Sequence, residues 1–349
     1  MSRNRAQVSE EVRSTSVAWL WVWLLGLLVV TPAWSDDLEA LMASLSFSSD
    51  DVAAVRAGEL VSGRLESASD RELAVAVVVK TSVEPARLVA ALAQGRALSR
   101  NPKVKHFESV SKPMGPAALK AVTLTPEQVK RWRRASPGED INLSADEFQI
   151  LKSSLAGAGG DSATASAVEQ AVEAILQTRM QMYQLSGLDG IASYERSSGD
   201  LRDASGELRL ASQANQKMGL LPDEFYDVLL AYPDRVPAGF QETFFWTLEE
   251  GPGTMLLNLT HRFSVQLDEG YGTVQRQFYV SNGYNVEQAI SRILPVEGGS
   301  VVLYTNRTST DQVDGFGGSA RRSIGDRMME SELSGLIRRI LGSVKSEAP

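Results

Sequence analysis

The C-terminal third of the chain carries several polar side chains that could hold or transform a ligand. Imidazole, phenol, guanidinium and carboxylate groups can exchange protons or orient the polar part of a bound molecule. Four such residues lie close together near the end of one strand-like segment, and two more lie on the segments before it. The candidate ligand-binding residues are His261, Tyr279, Tyr304, Asn306, Arg307 and Asp311. The same residue types also occur on ordinary edge strands, so a structural role stays open.

His261 is the residue for which the functional and structural interpretations differ most. Between residues 255 and 267 apolar and polar residues alternate, and His261 falls on the apolar face of the predicted strand. A histidine there either makes a hydrogen bond inside the core or contacts a ligand and transfers a proton. The other histidine, His106, lies among lysines and glutamates, which is typical of a solvated edge strand.

The chain has no cysteine and two histidines, which excludes thiol catalysis and cysteine-ligated metals. Residues 315–325 place glycines, Arg321 and Arg322 before a helix, as an anion-binding loop would. Their spacing matches neither a dinucleotide-binding nor a Walker A loop, so we interpret the segment as a turn with Ser319 capping the last helix. We therefore predict no cofactor and no metal site, and we assign no catalytic residue.

The N-terminal residues have the pattern of an export signal. Three arginines precede an apolar run at residues 17–30, which is shorter than the about 20 residues needed to span a bilayer. Small residues and then two aspartates follow near Ser35, as at a signal peptidase site. We predict a signal peptide at residues 1–35, cleaved near Ser35, and a periplasmic location. An uncleaved N-terminal anchor is the alternative.

The charge balance of the chain is acidic. Its 349 residues include 35 Lys and Arg against 43 Asp and Glu, a net charge of −8, and removal of residues 1–35 would leave −9 because three basic and two acidic residues are lost. This balance argues against a nucleic-acid partner. The concentrated basic cluster of the chain consists of Lys130, Arg131, Trp132, Arg133 and Arg134. It could contact a membrane surface or an acidic protein, although a solvated helix end has the same composition.

Residues 36–112 are predicted to supply the first strands of a sheet. Two short helices open the segment, and the strands at 59–66 and 72–82, the helix at 83–93 and the strand at 103–110 follow. Both faces of the second strand are apolar, so we expect both faces to be covered.

Residues 113–222 are predicted to be a helical insertion that lies over the sheet as a lid. Capping boxes at residues 125–128 and 144–147 mark two helix starts. A longer helix is expected at 162–185, whereas the span 197–218 shows little periodicity and is expected to be a loop or lid. The candidate lid contacts are Met180, Met182 and Tyr183.

Residues 223–349 are predicted to form the main part of an antiparallel sheet and a C-terminal helix. Strands are expected at 241–249, 255–267, 273–281 and 298–310, and a short helix capped by Asn285 at 285–294. The last helix is amphipathic and must lie against a sheet. Its expected apolar stripe contains Ile324, Met328, Leu333, Leu336, Ile337, Ile340, Leu341 and Val344.

This order of elements resembles the START-like, helix-grip superfamily. The resemblance covers residues 58–105 and 242–344, where two strands lead into a helix and antiparallel strands lead into the long C-terminal helix. It implies an α+β fold in which a curved antiparallel sheet wraps the C-terminal helix and encloses a cavity for lipids, sterols or other hydrophobic molecules. The signal peptide and the inserted residues 113–222 depart from the family's usual pattern, and no catalytic residue is carried over.

Three functions follow as hypotheses. The first is an exported protein that binds or carries a hydrophobic small molecule such as a lipid or a sterol-like compound. The second is a periplasmic enzyme that uses the candidate polar residues for acid–base chemistry on such a molecule. The third is an envelope accessory factor whose insertion binds a protein partner. A void between sheet and helix would favour the first two, and convergent polar groups inside it would favour the second over the first.

Overall fold

The computed structural model describes residues 34–93, 98, 101–115, 118–119, 122–137, 141–197, 199–251, 253–315 and 317–346. Within these ranges the chain is an α+β protein. The helices are α1 (Trp34–Ser44), α2 (Ser49–Arg56), α3 (Pro85–Ala93), α4 (Pro126–Arg133), α5 (Ala145–Leu155), α6 (Asp161–Ser186), α7 (Ala204–Gln216), α8 (Asp223–Ala231) and α9 (Gly318–Ser346). The strands are β1 (Leu60–Arg64), β2 (Glu72–Thr81), β3 (Val104–Val110), β4 (Tyr194–Glu195), β5 (Leu201–Arg202), β6 (Gln241–Gly251), β7 (Thr254–Gln266), β8 (Tyr271–Val280), β9 (Val286–Val296) and β10 (Gly299–Ser309).

Eight strands form one antiparallel sheet in the order β1-β2-β10-β9-β8-β7-β6-β3, and β4 and β5 form a separate two-stranded ribbon. The predicted α+β class, the antiparallel sheet and the C-terminal helix are confirmed. The sheet combines strands from both sides of the helical segment, because β2 pairs with β10 and β3 pairs with β6. The predicted signal peptide lies outside the described residues, apart from the start of α1. Among the described residues no helix is both long enough and apolar enough to cross a membrane.

The predicted short helix at residues 285–294 is wrong, because these residues belong to β9. Val286, Ile290 and Leu294 recur every four residues, a spacing that fits a helix but also the alternate positions of a strand. All three are buried. β9 lies between β8 and β10 and pairs with both. The strand hydrogen bonds available in the middle of the sheet outweigh the helical signal of Asn285.

The predicted loop or lid at residues 197–218 is also wrong for most of its length, because α7 occupies it. Asp203 caps this helix by accepting a hydrogen bond from the amide of Gly206 at 2.9 Å. Leu208 and Ala211 lie on the buried side of this helix. The buried side also contains Ser212 and Asn215 whereas Leu210 is 42% exposed, which conceals the apolar period in the sequence.

The helices cover the two faces of the sheet unequally. On one face, here called the packed face, α1, α2 and α4–α8 enclose a large apolar core. On the other, here called the α9 face, α3 and α9 cover a smaller cluster. β2 alternates between them as predicted: Ala74, Ala76 and Val78 belong to the first core, and Val77 and Val79 to the second.

The second half of α9 makes the apolar contact with the sheet, while in its first half the buried Asp326 lies beside Arg64 of β1. Ile337 and Val344 are buried, whereas Ile324 and Met328 are 59% and 61% exposed. The predicted stripe is therefore wrong at its first two positions. With 3.6 residues per turn, positions nine residues apart, such as Ile324 and Leu333, lie on opposite sides of a helix.

A row of buried polar side chains crosses the packed face. The strand register places His261 beside Arg276, Arg276 beside Gln288, and Gln288 beside Arg307. Arg307 forms an ion pair with Glu72, with 2.6 Å between Nη1 and Oε2, and both side chains are buried. Helical side chains supply further partners, such as Asn215 Oδ1 at 3.1 Å from Arg307 Nε. The packed face is therefore held by buried polar contacts as well as by apolar packing, although the amide nitrogens of Gln288 and Asn215 have no hydrogen-bond partner among the described residues.

Replacing Arg307 with methionine leaves the buried Glu72 carboxylate without its counter-charge. We expect Arg307→Met to lower the free energy of unfolding by about 3–5 kcal/mol. The double variant with Glu72→Met removes both charges, and we expect it to be more stable than Arg307→Met alone. Urea unfolding followed by circular dichroism measures both values. A double variant less stable than the single one would show that the ion pair is not the main contribution of Arg307.

Candidate ligand cavity between the sheet and the C-terminal helix

A cavity of about 110 Å³ lies on the α9 face of the sheet, between the strands, α3 and the second half of α9. Its helical wall is apolar and includes Leu88, Leu92 and Ile337. Its sheet wall is mixed, with Ile293 and Val302 at one side and polar side chains at the other. The polar lining residues are Arg262, Thr273, Gln275, Ser291 and Tyr304.

The strand register sorts this lining into rows, because directly paired residues of neighbouring strands point to the same face. An apolar row contains Tyr271, Ile293, Val302, Val79 and Leu60. The adjacent row contains the hydroxyl residues Ser264, Thr273, Ser291 and Tyr304. The next row contains Arg262, Gln275, Ala289 and Asn306. The cavity therefore has an apolar end and a polar end along the strand direction.

Arg262 is the charged group of the cavity wall. Its side chain is buried, and the guanidinium donates hydrogen bonds to the carbonyl oxygen of Leu92 and to Oε1 of Gln275. It also lies 5.0 Å from the ring centroid of Phe245. Burial lowers the pKa of Arg262 to about 10, against an opposing effect of Tyr304. The group stays cationic at neutral pH, and no carboxylate of the described residues forms an ion pair with it.

A second polar group adjoins the cavity on the same face. The hydroxyl oxygen of Tyr304 accepts a hydrogen bond from Nδ2 of Asn306 at 3.2 Å, which leaves its own hydrogen free to donate. The hydroxyl of Thr308 is 2.9 Å from Asn306 Oδ1 and 3.4 Å from Glu287 Oε2. Burial raises the pKa of Glu287 to about 7. Near the polar end of the cavity the α9 face thus has a persistent cation, Arg262, and a carboxyl group, Glu287, that titrates near neutrality.

The structure does not bring the six predicted ligand-binding residues together. Tyr304 lines the cavity, and Asn306 lies beside it on the same face. His261, Tyr279 and Arg307 lie on the packed face, so the sheet separates them from the cavity. Asp311 lies beyond the end of β10.

His261 is enclosed by aromatic rings on the packed face. The ring centroids of Phe244 and Phe263 lie 4.0 and 3.8 Å from that of His261. Nδ1 is 3.2 Å from the hydroxyl of Tyr183, and Nε2 is 3.4 Å from Oε2 of Glu242. Burial lowers the pKa of His261 to about 3, although Glu242 acts in the opposite direction. A neutral, fully buried imidazole with these neighbours matches the core interpretation made from the sequence.

The predicted lid contacts also lie away from the cavity. Met180 and Tyr183 are buried on the packed face, and Met182 is 42% exposed. Helices α4–α8 cover the face opposite to the cavity, so α3 and α9 are the helices that close it.

Asp311 joins the β4–β5 ribbon to the end of β10. Its carboxylate is 2.7 Å from Nε of Arg196 and 2.6 Å from Nε of Arg202, and a third arginine, Arg71, is 3.7 Å away. Burial alone would raise the pKa of Asp311, but the hydrogen bonds from Arg196 and Arg202 lower it. Asp311 thus has three arginine neighbours, and it also lines a polar crevice of about 190 Å³ with Arg196 and Asn285, apart from the cavity on the α9 face.

In the basic cluster at α4, the aromatic side chain is not accessible. Trp132 is 3% exposed and packs in the core of the packed face. Lys130, Arg133 and Arg134 are exposed. A contact with a membrane surface or an acidic protein therefore stays a prediction, and the exposed cations would make it without Trp132.

Other crevices of the described residues are larger than the cavity, and two of them have basic side chains in their walls. One of about 510 Å³ is lined by Lys80, Arg338 and Lys345 and shares Leu341 with the cavity. The other, of about 420 Å³, has Arg307 in its wall, but that guanidinium is already bound to Glu72 and Asn215. Among the described residues no group of three or more acidic and histidine side chains could hold a metal ion.

The sequence-based list missed Arg262, Thr273, Gln275 and Ser291. The alternation of β7 placed Arg262 on the polar side of its strand, which is the side that normally faces water. The signal that could have identified it is the apolar stripe of α9, because a helix that must cover a sheet face also buries that face's polar residues.

No family model, no curated protein and no solved structure matches the chain. The function is therefore argued from the cavity and its lining.

The raised pKa of Glu287 predicts a pH-dependent stability. At pH values between the ordinary pKa of a glutamate and about 7, the carboxyl group of Glu287 is ionised in the unfolded chain but protonated in the folded chain. The contribution of Glu287 to stability therefore falls as the pH rises from about 5 to 8. We expect the melting temperature of Glu287→Gln to exceed that of the wild type by a margin that grows over this range. Thermal unfolding at several pH values measures the margin, with the exposed Glu250→Gln as control. A constant margin would contradict the prediction.

Proposed function

We propose that this protein is exported and holds a compact hydrophobic molecule between its antiparallel sheet and its C-terminal helix, in a helix-grip arrangement. The observation that carries the proposal is the cavity on the α9 face, where an apolar helical wall faces polar groups of the sheet. Such a combination is typical of small-molecule sites, which are mainly apolar with a few polar groups that orient the ligand.

The volume of the cavity limits the size of the ligand. Sites for drug-sized molecules enclose about 300–1,000 Å³, and an engineered apolar cavity of about 150 Å³ takes up benzene. At about 110 Å³ the cavity suits a small molecule or one end of a chain. A whole sterol or lipid would require α9 to move away from the sheet.

Binding has more support than catalysis. The residues considered for acid–base chemistry lie on opposite faces of the sheet or beyond its end, so they cannot act on one bound molecule. On the α9 face the described lining offers a cation, hydroxyls and an amide, which are groups that orient a ligand.

Changing the volume of the cavity should change binding. Ala289 lines it on β9, and Ala289→Leu fills part of the space. We expect this variant to bind 1-hexanol at least about tenfold more weakly, because the site loses room for most of the chain. Leu336→Ala enlarges the cavity from the helical side and should bind 1-octanol at least as tightly as the wild type does.

Titrations followed by NMR of the ¹⁵N-labelled protein measure both affinities. Met328→Ala on the exposed side of α9 is the control and should match the wild type. Unchanged 1-hexanol affinity in a folded Ala289→Leu variant would exclude this cavity as the binding site.

Export predicts the mass of the mature protein. Cleavage near Ser35 leaves Leu38, Met42 and Leu45, which are buried in the core, on the mature chain. We expect the protein recovered from a bacterial periplasm to begin at about residue 36 by intact mass, and a chain lacking residues 2–35 to stay in the cytoplasm. A full-length chain recovered from the membrane fraction would instead indicate an uncleaved anchor.

A further inference from the structure

We propose that the ligand of this cavity is a compact monocarboxylate, with its carboxylate bound to Arg262 and its apolar part lying under α9. The inference rests on the proposed function, because it concerns the same cavity. Its basis is that Arg262 and the buried arginines of the opposite face differ in the partners that the protein supplies to their charge.

Those arginines have an acidic partner or several neutral ones within the protein, although Nε of Arg179 has no hydrogen-bond partner among the described residues. Arg179 pairs with Glu147 at 2.6 Å, and Arg307 pairs with Glu72 at 2.6 Å. Arg276 has no ion pair, but its guanidinium donates to neutral acceptors on four residues. These acceptors belong to Gln288, Tyr183, Leu229 and Ser212.

Arg262 differs because its positive charge faces a cavity and forms no ion pair with the described residues. The guanidinium of Arg262 has five N–H donors. Among the described residues it has two acceptors, the carbonyl oxygen of Leu92 and the amide oxygen of Gln275. Residues 94–100, of which the structure describes Leu98 alone, contain no aspartate or glutamate. An isolated buried charge is costly, and an anionic ligand would neutralise it.

The order of the rows across the sheet sets the orientation of the ligand. The hydroxyl row reaches Arg262 through Thr273 on the neighbouring strand β8 and continues with Ser291 on β9 and Tyr304 on β10, and hydroxyl hydrogens of this row can donate to a second carboxylate oxygen. The row of Ile293 and Val302 lies on the far side of these hydroxyls, under Ile337. A carboxylate at the polar end therefore leaves the hydrocarbon part against the apolar end.

A singly charged head matches this site better than a phosphate does. An arginine binds a carboxylate through two parallel hydrogen bonds and neutralises its single charge. A phosphate monoester carries nearly two negative charges at neutral pH, so one guanidinium would leave net charge buried. A cationic ligand would be repelled by Arg262.

A competing position for the carboxylate is the basic crevice of Lys80, Arg338 and Lys345, which shares Leu341 with the cavity. Arg338 and Lys345 are exposed, and ion pairs in water are weak. A variant at Arg338 therefore serves as a matched control for one at Arg262, since each removes one cation near the same cavity.

The experiment compares hexanoate, 1-hexanol and hexyl phosphate, which share one hydrocarbon chain, at pH 7.4. Affinities are measured by NMR titration of ¹⁵N-labelled wild type, Arg262→Gln, Arg262→Lys and Arg338→Gln. In the wild type we expect hexanoate to bind at least about tenfold more tightly than either other probe, as a charge-assisted hydrogen bond predicts. Arg262→Gln should bring the hexanoate to 1-hexanol ratio close to one, and Arg338→Gln should leave it unchanged.

Arg262→Lys tests the site without removing the charge. It should keep part of the preference for hexanoate but lose the paired hydrogen bonds. A spectroscopic readout separates binding from a structural effect: the ¹³C resonance of carboxyl-labelled hexanoate should titrate at a lower pH when bound to the wild type than when free. That difference should disappear in Arg262→Gln.

The outcomes separate this inference from the proposed function. If hexanoate and 1-hexanol bind the wild type equally and Ala289→Leu weakens both, the cavity binds ligands but the carboxylate assignment is wrong. The same holds if hexyl phosphate binds most tightly, or if Arg338→Gln and not Arg262→Gln removes the preference. If none of the three probes binds the wild type, both the inference and the proposed function fail.

Discussion

Successive residues of a β-strand point to opposite faces of the sheet, and most of this structure depends on that alternation. Each central strand has to satisfy two different environments at once. On β8, Val274 and Phe278 enter the large apolar core, while Thr273 and Gln275 line the cavity on the other side. A shift of one residue in register would exchange these two sets, so the pairing of β7–β10 decides which side chains can meet a ligand.

The two faces handle buried charge in different ways. On the packed face Arg179 and Arg307 have carboxylate partners at 2.6 Å, and Arg276 is surrounded by neutral acceptors. On the α9 face Arg262 has one carbonyl, one amide and an aromatic ring. In the first arrangement carboxylates offset the charges of two arginines and neutral acceptors surround the third, whereas the second leaves Arg262 without an ion pair among the described residues, which is the basis of the proposed ligand.

The helices between β3 and β6 have a role that follows from this division. They supply the core of the packed face and partners such as Tyr183 and Asn215 for its polar row. They lie on the face opposite to the cavity, which α3 and α9 cover. The second half of α9 covers the sheet, while Ile324 and Met328 point away from it.

The parts predicted from sequence were those with a strong local signal. The strands of residues 72–82 and 255–267, the capping boxes at Thr125 and Ser144 and the long C-terminal helix were all recognisable from their spacing. Residues 285–294 were misassigned because their apolar spacing fits both a helix and a strand. Of the residues that line the cavity, Tyr304 was identified from the sequence. Arg262 was overlooked, because a polar strand face that is buried has the same sequence pattern as one that faces water.

The sequence by itself determined that this chain forms an α+β protein with an apolar C-terminal helix that needs a sheet to cover. Local periodicity and capping are sufficient for that, because they act within a few residues along the chain. Because Tyr304 and Arg307 are three residues apart in one strand, they must face opposite sides, but only the tertiary structure decided which of them faces α9 and that Arg262 lies in a cavity. Those facts depend on strand register and on which helix covers which face, and both are set by contacts between residues far apart in the chain.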